Sequence, residues 1–186
     1  LSEKEEALLA GASDILGASA NVFEVLNNAD LKFPVVTDGS GSKVELSNGV
    51  YGKLLEATER QVRREAFEQL YTVYKQFRHT FAATLSAHVR KHNFSAKLRN
   101  YQSAKEASLA QNNIPVAVYD TLVKTVNENL ELLHDYVALR KDILGVDELH
   151  MYDMYTPLTG EPTLTFTYEQ AKKMTLEALS VLGEEY

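Results

Sequence analysis

Val62-Arg63-Arg64-Glu65-Ala66-Phe67-Glu68-Gln69-Leu70-Tyr71-Thr72-Val73-Tyr74-Lys75-Gln76-Phe77 decides the fold class. Val62, Leu70, Val73, Tyr74 and Phe77 recur at helical spacing, and Phe81 and Leu85 carry the stripe onward. That periodicity is the mark of an amphipathic helix, and it predicts one helix from about Asn48 to His92. Glu56 with Arg60, Glu59 with Arg63, and Arg64 with Glu68 are each spaced four apart and read as its wet face. Such a pair contributes only about 0.2–0.5 kcal/mol.

Downstream, a second helix is predicted over roughly Ala96–Ala110, ended by Asn112-Asn113-Ile114-Pro115, because the residue before proline avoids the α region. Pro115 suits the first position of a third long helix reaching Leu144. Tyr119, Leu122, Val126, Leu130, Leu133 and Val137 form its expected core stripe, and Gly145 its stop. After an irregular stretch, Val146–Phe166, Thr167 with Gln170 caps a last helix through Leu182. Upstream, Ser2 with Glu5 forms a capping box for a helix that Gly11 and Gly17 weaken. The β signal is confined to residues 31–36 and 43–46, two apolar runs around Thr37-Asp38-Gly39-Ser40-Gly41-Ser42, which read as a hairpin. Pro34 belongs at its edge or at a bulge, and a lone hairpin must lean on helices. The expected fold is mainly α: long antiparallel helices with a small β-hairpin near the N-terminus. Two subregions are expected to pack as one unit, residues 1–47 with the first helix and hairpin, and the helical residues 48–186.

The 186-residue length suits one domain. A net charge of −7, from 26 acidic and 19 basic residues, argues against nucleic-acid binding, which needs a clustered basic face. Zero cysteine excludes disulfides, thiolate catalysis and Cys-ligated zinc. No apolar run approaches the ~20 residues that cross a bilayer, and no basic-then-apolar leader opens the chain. Leu1 in first place reads as a cut or processed start. A soluble, reducing, cytoplasmic setting is the expectation.

His88-Val89-Arg90-Lys91-His92 places two imidazoles four apart, the spacing of a zinc-binding helix. Val89 stands where such a helix carries a water-activating Glu, and no third ligand follows at helical spacing. At 100° per residue from Phe77, Leu85 lies at ~80°, His88 at ~20° and His92 at ~60°. Both therefore fall in the apolar stripe, and hydrogen-bonded core histidines are the expectation, with a metal site as the alternative. His79 points to solvent; His134 and His150 have no partner at ligand spacing. Gly39-Ser40-Gly41-Ser42-Lys43 is a turn and not a phosphate loop. Glu5-Glu6 and Glu184-Glu185 are solvated charges, since adjacent helical residues do not face each other. Asp153, flanked by His150, Tyr152 and Tyr155 in the irregular stretch, is the most informative acid. Such a loop carries function or packs over helix ends.

A second reading comes from Lys97-Leu98-Arg99-Asn100-Tyr101-Gln102-Ser103-Ala104-Lys105-Glu106-Ala107, then Asn112-Asn113-Ile114-Pro115 and Tyr119. With it go Glu59-Arg60-x-x-Arg63-Arg64-Glu65-Ala66-Phe67 and Leu132-Leu133-His134-x-Tyr136-x-x-Leu139-Arg140-Lys141. Leu149-His150-Met151-Tyr152-Asp153-Met154-Tyr155-x-Pro157-Leu158 and Ala178-Leu179-x-x-Leu182-Gly183-Glu184-Glu185-Tyr186 complete the set. In this order the motifs resemble the oligoendopeptidase F family of thimet-type zinc metallopeptidases, over nearly the whole chain. The resemblance implies a helical region like the start of the peptidase domain, part of the wall of a channel that admits short peptides. It implies zinc in the full-length enzyme and none in this segment. The family's His-Glu-x-x-His motif lies further C-terminal than Tyr186, so no catalytic or metal residue carries over, and His88-x-x-x-His92 is not that motif.

What the resemblance implies is a non-catalytic segment, inactive alone, whose partners are short peptides and the missing C-terminal catalytic part. Arg99, Tyr101, Tyr152 and Asp153 are the channel candidates. Arg grips a carboxylate bidentately and Tyr offers amphipathic contact area. The competing reading pairs Arg99 with an acid across helices and has Tyr101 cap the core. For the chain as a whole, the alternative is a free-standing helical interaction or peptide-binding module. Apolar faces left bare would lead the segment to self-associate.

Overall fold

The computed structural model describes residues 1–160 and 164–183. The expectation for Glu184-Glu185, and the end of the last family motif, lie outside the described residues. Nine α-helices among them are α1 (Glu3–Gly11), α2 (Ser13–Val25), α3 (Asn48–Leu55), α4 (Arg60–Gln76), α5 (Arg78–Leu98), α6 (Ala104–Ala110), α7 (Val116–Glu128), α8 (Leu130–Leu144) and α9 (Tyr168–Leu179). Strands β1 (Val35–Thr37) and β2 (Lys43–Glu45) pair antiparallel, with Val36 opposite Val44. The chain divides into two units, Leu1–Thr156 and Pro157–Tyr186.

In the first unit, Asp38 closes the hairpin turn by accepting from the backbone N–H groups of Ser40 and Ser42 at 2.9 and 2.8 Å. The Ser40 hydroxyl, with these amides, holds its carboxyl below the usual range. Gly41 occupies the left-handed region at φ 83°. Pro34 stands just before β1, and its carbonyl accepts from Leu46 N–H at 3.1 Å. The hairpin leans on helices as expected. Val36 and Leu46 are buried with Leu54 of α3 and with Ala66 and Leu70 of α4, flanked by Phe33, Val44, Val50, Tyr51, Val62 and Tyr74. One core therefore draws on residues from both 1–47 and 48–186.

The predicted 48–92 helix is three helices. Residues 56–59 leave the helical path because their carbonyls are claimed from elsewhere. Ala57 O accepts from Arg63 Nη1 at 2.8 Å and from Thr156 Oγ1 at 3.1 Å, and Thr58 O from Arg63 Nη1 at 2.8 Å. A second break falls at Phe77 (φ −103°, ψ 12°), whose N–H makes the tighter bond to Tyr74 O. Helix α5 then runs to Leu98, absorbing the predicted start of the second helix. It ends on Asn100 at φ 59°, with Tyr101 N–H bonded to Ala96 O at 3.0 Å and Asn100 N–H to Lys97 O at 3.1 Å. This is a left-handed cap with Asn in the usual glycine place.

Asn113 (φ 54°) closes α6 in the same way, and Gly145 (φ 61°) closes α8 as predicted. Pro115 caps α7 with extended backbone (ψ 140°) and is not its first helical residue. The third long helix is two, because the Asn129 side chain donates to Thr125 O at 2.8 Å and draws residue 129 off the helical path. Tyr119, Leu122, Val126 and Leu133, expected in a core, are exposed. In the second unit, Thr167 and Gln170 form the predicted capping box of α9, followed by a 3₁₀ turn over Ser180–Leu182.

Candidate functional site

The most highly organised polar group in the chain is built around Asp153, whose side chain is 0% exposed. The two predicted candidates Tyr152 and Asp153 lie together in a short 3₁₀ turn, Met151–Asp153, held against the start of α4. Asp153 Oδ1 accepts from Arg63 Nη2 at 2.8 Å and Arg60 Nε at 3.1 Å. Oδ2 accepts from Arg60 Nη2 at 2.9 Å and from His150 N–H at 3.0 Å. Burial pushes this carboxyl up. The Arg60 and Arg63 hydrogen bonds and the His150 amide outweigh that and lower it to about 2.

The arginines tie the turn on every side. Arg63, 3% exposed, adds a bond from Nε to Tyr152 O at 3.1 Å. Arg60 is 41% exposed and reaches Glu148 O at 2.7 Å. Arg140 of α8 is buried and donates from Nε to Asp153 O at 2.8 Å, from Nη1 to Tyr136 Oη at 3.3 Å, and to Thr156 O. Tyr152 has the Arg60 guanidinium 5.4 Å from its ring centre and His150 stacked on it at 4.9 Å. Hence Glu56–Arg60 and Glu59–Arg63 are not the ion pairs expected of a wet face. Both arginines turn to Asp153, while Arg64–Glu68 forms as predicted at 2.8 Å.

Chemically this arrangement holds and does not react. A general base needs an available lone pair and a pKa near the working pH, whereas Asp153 is ionised and occupied on both oxygens. Its function is to clamp residues 148–156 onto the break between α3 and α4 and onto α8. Sequence reasoning missed the arginines as site residues. Yet Arg63 lies three before Ala66, seven before Leu70 and ten before Val73, so it shares their buried face.

The other two candidates are elsewhere. Arg99 pairs with Glu6 of α1 at 2.8 Å, with both side chains partly exposed, as the acidic-partner reading expected. Tyr101 is half-buried beside the Asn100 turn. The two halves of the molecule's histidine pair meet on α5, with Nε2 atoms 3.0 Å apart and ring centroids 4.5 Å apart. Neither is a core residue: His88 is half-buried and His92 exposed. The stripe that sequence assigned to this helix loses its cover here, and Leu85 is 64% exposed. Burial, then repulsion from His88 and Lys91, lowers the His92 pKa. His88 also edges an apolar groove of about 430 Å³ between α2 and α5, lined by Ser19, Ala20, Phe23, Phe81, Thr84 and Leu85. Among the described residues, no group of three or more His, Cys, Asp or Glu is arranged to hold a metal. The residues present do not fit a catalytic zinc centre.

Residues 53–181 match the family described as Peptidase family M3, and residues 1–33 match that described as Oligopeptidase F. Oligopeptidase PepF of Bacillus subtilis is 52% identical over the whole chain, which covers 28% of that relative. Group B oligopeptidase PepB of Streptococcus agalactiae is 50% identical over the whole chain and 31% of its own length. Among solved structures, oligoendopeptidase-F from Enterococcus faecium superposes with a TM-score of 0.84 at 57% identity, over all of this chain and 35% of that one. The chain thus spans about 30% of the length of the curated relatives it matches. With the family match running over residues 53–181, more than half of the chain, and a solved relative superposing over all of it, the chain belongs to peptidase family M3.

Proposed function

We propose that this chain is a non-catalytic segment of a zinc-dependent oligoendopeptidase, and that it forms part of the wall of the channel through which short peptides reach the reaction centre. The observation that carries this reading is the end-to-end match, over 100% of the chain, to relatives named oligopeptidase, in which it accounts for under a third of the length. The exposed apolar stripes of α7 and α8 support it, because a wall shared with further polypeptide is apolar where that polypeptide packs. Arg99 and Tyr101 are then the side chains able to face a peptide. Tyr152 and Asp153 contribute by fixing their own turn against α4 and α8. Access is limited by size: a narrow cleft excludes folded proteins without any contact that favours the correct substrate. The enzyme is placed in the cytoplasm.

The test is hydrolysis of internally quenched short peptides, with and without added Zn²⁺. The 186-residue chain alone is expected to show no turnover, and a polypeptide carrying the family's remaining length to show it. Hydrolysis needs a metal-activated water or an equivalent nucleophile. Turnover by the chain itself overturns the proposal. The competing module reading is separated by the coding sequence beyond Tyr186: a His-Glu-x-x-His downstream supports the peptidase, and an immediate stop codon the module.

A further inference from the structure

Charge is distributed unevenly along this chain. Residues Gln69–Lys105 hold seven lysines and arginines and no aspartate or glutamate, whereas the rest of the chain carries all 26 acids against twelve basic residues. Helix α5 lies wholly within that acid-free run. In an acidic chain, a long helix without one carboxylate creates a local field opposite in sign to that of the whole. Ion pairs cancel little of it. Arg99 meets Glu6 and Lys105 meets Asp120, while Lys75, Arg78, Arg90, Lys91 and Lys97 have no carboxylate partner among the described residues.

One of these unpaired cations stands at the end of an apolar groove. Helix α2 packs on α5, and Phe23 and Phe81, edge to face at 5.8 Å, wall the groove beside their contact together with Leu85. One turn further along both helices, from Ser19 to Leu16 and from His88 to Lys91, a second hollow of about 280 Å³ begins, with Lys91, Leu9 and the Glu6–Arg99 pair on its sides. Lys91 is half-buried there. We infer that this trough is a subsite for acidic peptides: short chains that pair a bulky apolar side chain with an aspartate or glutamate. The inference rests on the reading of the chain as the wall of a peptide channel, and it names the peptides that this wall retains. The apolar side chain enters between Phe23, Phe81 and Leu85, and the carboxylate meets Lys91. Several cations along one helix suit several acidic side chains, whereas a single chain end would use one. From Leu85 to Lys91 the helix rises about 9 Å, and an extended peptide covers that in about three residues.

The experiment titrates dye-labelled short peptides, amidated at the C-terminus so that only side chains carry charge, into the 186-residue chain and follows anisotropy. One peptide carries Phe and Glu at that spacing, a second has Lys in place of the Glu, and a third has Ala in place of the Phe. The first is expected to bind at least about tenfold tighter than the second at low ionic strength, with the gap closing as salt is added. It is also expected to bind more tightly than the third. Lys91→Glu is expected to reverse the preference for Glu over Lys, which a folding defect cannot do. Leu85→Ala, at an exposed position, is expected to reduce the preference for Phe over Ala and leave the charge preference in place. Equal affinities for the charge-swapped peptides, or no binding, overturn the subsite. So does a neutral peptide with a free C-terminus that binds as tightly as the acidic one, because Lys91 then reads a chain end. Self-association that Leu85→Ala abolishes, with no selectivity among peptides, assigns the trough to a second copy and also overturns it. Hydrolysis by the longer polypeptide is a separate readout, so failure of this subsite and failure of the channel-wall reading are told apart.

Discussion

Asp153 is the side chain on which the most structure converges, and its neighbours set what each substitution costs. Removing one member of a buried ion pair strands the other, at about 3–5 kcal/mol. Asp153→Ala leaves Arg63, itself 3% exposed, without its only carboxylate among the described residues, and is expected to lose that amount in urea unfolding. Arg60→Ala removes a cation from the solvent side, 41% exposed, and is expected to cost about 1 kcal/mol or less. The reverse order of the two costs would show that the clamp is held from its outer face. The same carboxylate gives the fold an acid limit. Its folded pKa of about 2 lies below the 3.8 of a free aspartate side chain. The group therefore contributes stability that is fully present above pH 4 and is lost as pH falls from about 4 toward 2. The span corresponds to about 2 kcal/mol. Unfolding free energy measured across pH 2–5 is expected to fall by that amount, and Asp153→Asn to flatten the fall. None of this was visible at Asp153 itself, where sequence showed only an acid in an irregular loop. It was half visible at Arg63, whose place on the apolar face of α4 was read as one end of an i,i+4 pair.

Helix ends tell the same story one scale up. The capping boxes at Ser2 and Thr167, the hairpin turn on Asp38 and the Gly145 stop depend on partners within a few residues, and all were legible. The breaks at 56–59, 77 and 129 were not, because helical periodicity continues straight through them. At 56–59 the decisive partners are Arg63 and Thr156, the latter 99 residues away from Ala57. At 129 a single side-chain amide competes with the backbone for Thr125 O. Two left-handed caps offer a test of local geometry free of packing. A Cβ at Gly145 would meet nothing within 4 Å, so Gly145→Ala isolates the conformational cost at φ 61°, about 1–2 kcal/mol. Asn100→Gly at φ 59° relieves the same strain and is expected to be neutral to slightly stabilising. Urea midpoints moving in the same direction for both variants would contradict the left-handed assignment.

At the scale of the whole chain, the question is what its apolar surface is for. Leu122 and Val126 on α7 and Leu132, Leu133 and Leu139 on α8 are each more than half exposed, on helices whose periodicity assigned several of them to a core. The stripe expected in a core is thus exposed, and its cover lies in no described element. That is the expected condition of a wall segment, and it has a consequence in solution: faces of this kind bury themselves against copies when nothing else is offered. Light scattering behind a sizing column is expected to show mass rising with concentration, together with binding of a hydrophobic dye. Leu122→Glu with Leu133→Glu is expected to shift the chain toward monomer and reduce the dye signal, with helicity by circular dichroism unchanged. A chain that stays monomeric at every concentration and binds no dye would mean that these stripes close on one another in solution, and the proposal of a shared channel wall would lose its structural support.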